Sequence, residues 1–143
     1  MDRSCDVSEK KFSFPPRQSG EVVLLVDDDP TCLHSVGDIL ERLGYTVVRQ
    51  ADARTACNIL QEQIVHIDLV ITDYRMEGMN GLELLHTLWW SGRFLPIIML
   101  TGYDMLEVYL KANVQDYVYF AKKPIKLRDL DLLVRRALKK GKN

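Results

Sequence analysis

Val22-Val23-Leu24-Leu25-Val26-Asp27-Asp28-Asp29-Pro30 decides the fold: five aliphatic residues with no polar break run into three carboxylates and a proline. An apolar run this short, rich in β-branched residues and closed by turn formers, fits a strand buried on both faces, as in a parallel sheet. Three further runs follow the same plan. Leu69 to Thr72 ends on Asp73, Pro96 to Leu100 ends on Thr101, and Val118 to Ala121 stops just before Lys122 and Lys123. Ligands of open α/β sheets bind outside the carboxyl ends of the strands. The spacing therefore brings carboxylates, a hydroxyl and an ammonium to one rim.

Between these runs the apolar period changes to that of helices. Asp29-Pro30 supplies an N-cap acceptor and a proline for the first helical position; Leu33, Val36, Leu40 and Leu43 then recur at three- and four-residue spacing, and Gly44 follows as a C-cap. Tyr45 to Arg49 reads as a short strand, and Ala53, Ala56, Cys57 and Leu60 as a second helix. Tyr74 to Asn80 is a loop rich in Met and Gly. Gly81, Leu82, Leu85 and Leu88 begin a third helix ending near Trp90 or Gly92, a fourth is expected over 104–112, and Leu130, Leu133, Val134 and Ala137 define a fifth over 127–140. Five strands alternating with five helices imply an α/β fold, a three-layer doubly wound domain on a five-stranded parallel sheet of order 2-1-3-4-5. Its switch point lies between the first and third strands, which end in Asp27-Asp28 and in Asp73.

With 143 residues, 47% hydrophobic and 27% charged, the chain has room for one full core. Residues 1–20 mix charge, Ser, Gly and Pro without periodicity and read as a flexible arm, 21–140 as the domain, and 141–143 as a tail. Nineteen basic against twenty acidic side chains give a net charge of −1, so no global field draws the domain to nucleic acid, and no apolar stretch approaches the ~20 residues of a membrane helix. Cys5, Cys32 and Cys57 are odd in number and lack CxxC spacing, which suits a reducing, cytoplasmic setting. His34, His66 and His86 are scattered and read as surface or partly buried residues, not ligands; of Trp89-Trp90, one packs beside Leu85 while its neighbour points elsewhere.

Crowded carboxylates repel one another and call for a cation. Oxygen donors without His or Cys favour a hard ion, Mg²⁺ or Mn²⁺, which takes one or two carboxylates together with phosphate oxygens. Phosphoryl transfer then needs a nucleophile, in-line positioning and neutralised charge. Asp73 is the candidate nucleophile, Asp27 and Asp28 the metal ligands, and Thr101 and Lys123 the groups that bind phosphoryl oxygens.

These motifs resemble those of the response-regulator receiver domain, the phosphorylatable module of two-component signalling, whose fold is flavodoxin-like. The resemblance runs from Glu21 to about Lys140 and rests on Val26-Asp27-Asp28-Asp29-Pro30, Leu69 to Asp73, Gly78 to Leu84, Pro96 to Tyr103, and Lys123-Pro124, in the family's order and spacing. It implies that Asp73 takes phosphate from a sensor histidine kinase or phosphotransfer protein. It also implies a metal held by Asp28, Asp73 and the main-chain carbonyl of Arg75, with Asp27 beside them. A switch is implied as well: the Thr101 hydroxyl moves toward the phosphate and an aromatic residue, here Phe120, turns inward, remodelling the face of the fourth helix, fifth strand and fifth helix toward a downstream protein or a phosphorylation-linked homodimer. Arg75 and Tyr103 take the positions that govern access of attacking water, and Gly102, where Ala is commoner, keeps that access open. Where the family usually has Pro after the phosphorylated Asp, this chain has Glu77, which puts loop rigidity and local charge in question.

Two other readings compete. Asp27-Asp28-Asp29-Pro30-Thr31 satisfies the DxDxT pattern of haloacid-dehalogenase-like phosphatases, with Asp27 as nucleophile and Asp29 as acid/base. That reading lacks a later acidic pair on a strand, since Asp129 and Asp131 have helical spacing, and it leaves Asp73 without a role. The third reading, a binding module that keeps the fold without phosphorylation, has to account for the complete set of five polar residues.

Overall fold

Side chains along β1 (Val22–Val26) alternate between two cores: Leu24 and Val26 point to one face, Val23 and Leu25 to the other, and all four are buried. The computed structural model describes residues 20–63, 65–92, 95–102 and 117–141. Within them, α1 (Pro30–Arg42), β2 (Thr46–Gln50), α2 (Ala53–Glu62), β3 (Leu69–Asp73), α3 (Gly81–Trp90), β4 (Ile97–Thr101), β5 (Val118–Lys122) and α4 (Leu127–Gly141) follow β1 in order. The helix expected over 104–112 lies outside the described residues, so α4 is the fifth helix of the sequence reading.

All pairings are parallel and the strand order is β2-β1-β3-β4-β5. The three inner strands are the near-continuous apolar runs, because each has neighbours on both edges and helices on both faces. The edge strands β2 and β5 are only partly buried, which is why their sequences carry Thr46, Arg49, Gln50 and Lys122. One core packs Val70, Ile97 and Met99 against α2 and α3 through Ala53, Ala56, Leu60, Leu82, Leu85 and Leu88. The other packs Leu69, Ile71, Ile98 and Leu100 against α1 and α4 through Leu40, Leu130, Val134 and Ala137. Trp89 packs against the first core and Trp90 is 89% exposed.

Asp29 caps α1, accepting from the Thr31 N–H with Pro30 at the first turn, as the sequence predicts. The C-cap is Leu43, one residue before the expected Gly44, whose φ of 101° carries the chain out of the helix in a left-handed conformation. β3 ends on Asp73 as the sequence predicts, while β4 and β5 run one residue past their expected ends at Leu100 and Ala121, because backbone pairing between them admits Thr101 and Lys122 although these residues close the apolar runs. Arg49 reaches from β2 across Gly37 on α1, donating to the Leu33 carbonyl and to Asp38 and Glu41. A Cβ at position 37 would meet that guanidinium, so a larger residue there would make the end of the Arg49 side chain swing aside from its partners on α1.

Candidate functional site

β1 and β3 lie side by side with Val26 opposite Thr72, so the residues that follow them emerge together at the carboxyl edge. Asp27, Asp28 and Asp73 each present an oxygen there, all within 4.8 Å of one another. Six donors around Mg²⁺ at its usual bond length would be spaced about 2.9 to 4.2 Å apart, so the three carboxylates could serve as ligands by drawing inward around a hard divalent ion. The donors are all oxygen, which suits Mg²⁺ or Mn²⁺.

Asp27 is 3% exposed and both its oxygens are engaged: Oδ1 accepts from the Asp29 N–H at 2.9 Å and Oδ2 from Lys123 Nζ at 2.8 Å. Lys123 also stands 3.4 Å from Asp73 Oδ1, so one ammonium bridges two carboxylates. It gets there because β5 ends at Lys122, whose side chain points to solvent, and the next N–H continues the pairing by donating to the Thr101 carbonyl at 2.9 Å. The alternation of a strand thus turns the second of two adjacent lysines inward. Lys123-Pro124 is a cis peptide.

Burial raises the Asp73 carboxyl above its ordinary value, and the Asp27 charge adds to this, while the Lys123 charge opposes it. Burial alone would lower the Lys123 ammonium, but the hydrogen bond to Asp27 and the charges of Asp27 and Asp73 together outweigh it and hold the group above its ordinary range. Asp29, fully exposed, is held low by its contact with Cys32 and the Thr31 N–H, the signature of a helix cap. Thr101 ends β4 one step beyond Leu100, the register partner of Asp73, and is fully buried. Phe120 is half-buried against the core and borders a groove of about 390 Å³ between β5 and α4, with Ile125, Leu132 and Leu133. Arg75 is exposed, and Tyr103 lies outside the described residues.

The loop after Asp73 is closed at its base. Gly81 N–H donates to the Tyr74 carbonyl at 2.7 Å, and Asn80 and Glu83 form a reciprocal capping box on α3. The sequence reading passed over that box, although Asn80-x-x-Glu83 ahead of an apolar run is its signal. It also missed the reason for Gly81: a Cβ there would meet the Asp73 carbonyl at 2.9 Å, so only glycine lets α3 start this close to the acidic strand end. A third feature is that the Glu77 N–H donates to Asp28 Oδ2 at 3.1 Å.

The phosphatase reading does not fit this arrangement. Its nucleophile, Asp27, is buried with both oxygens bound, and its acid/base, Asp29, is a helix cap. Asp131 is buried in α4 and paired with Arg135, while Asp129 borders the groove beside β5, so neither supplies the missing acidic strand.

A doubly wound sheet of order 2-1-3-4-5 with carboxylates, a hydroxyl and an ammonium at its switch point defines the flavodoxin-like class of domains built to bind a phosphoryl group there. The family model "Response regulator receiver domain" matches residues 23–135, and the chain belongs to that family. It is 36% identical over 111 residues to the two-component response regulator ORR24 of Oryza sativa subsp. indica, covering 78% of this chain and 18% of that protein. The chain thus spans about a fifth of the length of the curated relatives it matches. Among solved structures, a CheY-like response regulator receiver domain protein from Methanospirillum hungatei aligns with a TM-score of 0.73 at 30% identity, over 87% of this chain and 98% of that one. The Vibrio cholerae chemotaxis protein CheY4 aligns with a TM-score of 0.74 at 28% identity, over 83% and 99%. Members of this family are signalling modules, not enzymes that turn over a separate substrate. Among the described residues, no helix is long and apolar enough to cross a membrane.

Proposed function

We propose that Asp73 is the phosphoacceptor of this receiver domain and that Asp27 and Asp28, with Asp73 and the Arg75 carbonyl, hold the Mg²⁺ or Mn²⁺ the reaction uses. The observation that carries the reading is the Lys123 ammonium between Asp27 and Asp73 in a pocket of three converging carboxylates. An Asp73 oxygen attacks the phosphorus of a phosphohistidine on a sensor kinase or phosphotransfer protein. The O–P bond forms as the N–P bond breaks, and the imidazole leaves as the neutral ring after taking a proton from solvent. When bound, the divalent ion neutralises charge on the transferring oxygens. Lys123 meets one of those oxygens as a point charge, and the Thr101 hydroxyl donates to another. Hydrolysis of the acyl phosphate by water returns the carboxylate, and Arg75 and Tyr103, two residues beyond Asp73 and Thr101 in sequence, are the residues assigned to set how easily water enters.

The output follows from the same geometry. Movement of Thr101 toward the phosphoryl group vacates space beside β5, and Phe120 turns into it, reshaping the β5–α4 groove for a downstream protein or a second copy. Phe120 has no hydroxyl to hydrogen-bond at the surface, so burial of its ring favours the inward position. The free thiols Cys32 and Cys57 suit a reducing cytoplasm.

Treatment with a small acyl phosphate and Mg²⁺, followed by intact mass, tests the assignment. Wild type gains one phosphoryl group, Asp73→Asn gains none, and neither hydrolyses a phosphomonoester. Wild type that stays unmodified, or Asp73→Asn modified at the same rate, overturns it.

A further inference from the structure

The Glu77 N–H donates to Asp28 Oδ2 at 3.1 Å across 49 residues of sequence, joining the loop after β3 to the acidic end of β1. We infer that this main-chain donor is a positioning group for the divalent-ion site, and that it exists because residue 77 is not proline. The inference rests on the metal-assisted phosphoacceptor reading of the same pocket.

Asp28 needs such a group more than its neighbours do. Asp27 is buried and held on both oxygens, and Asp73 faces Lys123, whereas Asp28 is exposed at the pocket mouth. Among the described residues, the Glu77 N–H is the hydrogen-bond donor to its carboxylate. A carboxylate oxygen has two lone-pair sites and the group about four, so one N–H on Oδ2 fixes the plane of the carboxylate while Oδ1 and the second site of Oδ2 stay open to a cation. Fixing that plane before the ion arrives removes part of the ordering entropy that binding would otherwise have to supply.

Loop geometry makes the donor dependable. Gly81 N–H on the Tyr74 carbonyl and the Asn80–Glu83 capping box pin the C-terminal end of the loop. Gly78, at φ 87° with open space around it, allows the left-handed turn immediately after residue 77. Proline at position 77 would stiffen the loop through its own ring but would carry no N–H. Here an external tether replaces that internal stiffness. The Glu77 side chain itself is exposed, so the role belongs to the main chain. Because the tether joins ion site to loop, linkage makes the effect reciprocal: occupancy of the site orders residue 77.

Two measurements on the full chain test this. In wild type, hydrogen exchange at the Glu77 amide is expected to be slower than in a free peptide without metal, and slower again when Mg²⁺ is added. Calorimetric titration with Mg²⁺ is expected to show binding weakened about fivefold in Glu77→Pro, a loss expected for one hydrogen bond to a charged group at an exposed site. Glu77→Gln, which restores the N–H without the charge, should bind Mg²⁺ as wild type does. An amide at 77 that exchanges at the free-peptide rate overturns the inference even if Glu77→Pro fails to fold. So does Glu77→Pro binding Mg²⁺ like wild type, or Glu77→Gln losing as much affinity as Glu77→Pro. Each of these results leaves the phosphoacceptor assignment standing if wild type still gains its phosphoryl group. Wild type that neither binds Mg²⁺ nor is modified removes that assignment instead.

Discussion

Asp73 and Lys123 hold opposite charges in one pocket, yet both bind protons more tightly in the fold than in the unfolded chain. For Asp73 the proton is favoured by burial and by Asp27. Its share of stability is therefore full below the ordinary carboxyl value of 3.8 and is lost as pH rises through the higher folded value. Lys123 keeps its share across neutral pH and loses it only above its ordinary 10.5. Asp73→Asn is accordingly expected to raise the thermal unfolding midpoint of the metal-free protein at pH 7, a gain that shrinks toward pH 4; a midpoint that drops would contradict this. Mg²⁺ competes with the Asp73 proton, so its affinity should weaken as pH falls through the raised carboxyl value, with protons released on binding, as calorimetry in buffers of different ionisation enthalpy would report. Arg75 is exposed, two residues past Asp73 in sequence. If the Arg75 side chain governs water access as proposed, Arg75→Ala should change the decay rate of the phosphoprotein severalfold while leaving Mg²⁺ affinity within about twofold, because the main-chain carbonyl is retained. An unchanged decay rate would reject this.

At the scale of elements, the approach of α3 to β3 decides whether the pocket has its shape. Gly81 begins α3 against the Asp73 carbonyl, Tyr74 Cα and Met99 Sδ, and two of these contacts are backbone, which cannot rotate away. Gly81→Ala is expected to destabilise by about 1–3 kcal/mol through overpacking and to slow phosphorylation of Asp73, measured by denaturant unfolding and by intact mass against time. An alanine variant of wild-type stability would show that α3 can move off without loss. The sequence could be read well where local rules act, as in Asp29-Pro30 opening α1 and the leucines of α3. It was less legible at Gly81 and Gly37, because their neighbours, Asp73 with Met99 and Arg49, come from other elements.

Across the whole molecule, one sheet serves two cores, so neither helical layer has an independent foundation. Leu85 on α3 and Leu130 on α4 are fully buried on opposite faces. Leu85→Ala and Leu130→Ala should each cost about 2–5 kcal/mol, and each should lower a single transition on which far- and near-ultraviolet circular dichroism coincide. Separated transitions would mean the layers unfold apart. The sequence alone determined the strand runs, the sheet order and the five polar residues at its carboxyl edge, because burial on both faces and short right-handed crossovers leave few ways to arrange such a pattern. It could not determine what each carboxylate touches. Only the tertiary structure decided that Lys123 bridges Asp27 and Asp73, that both oxygens of Asp27 are occupied, and that the Glu77 N–H reaches Asp28. The contacts of Lys123 and of the Glu77 N–H join residues 49 to 96 positions apart, and spacing along a chain carries no information on the direction in which a side chain or an N–H points once strands are laid side by side.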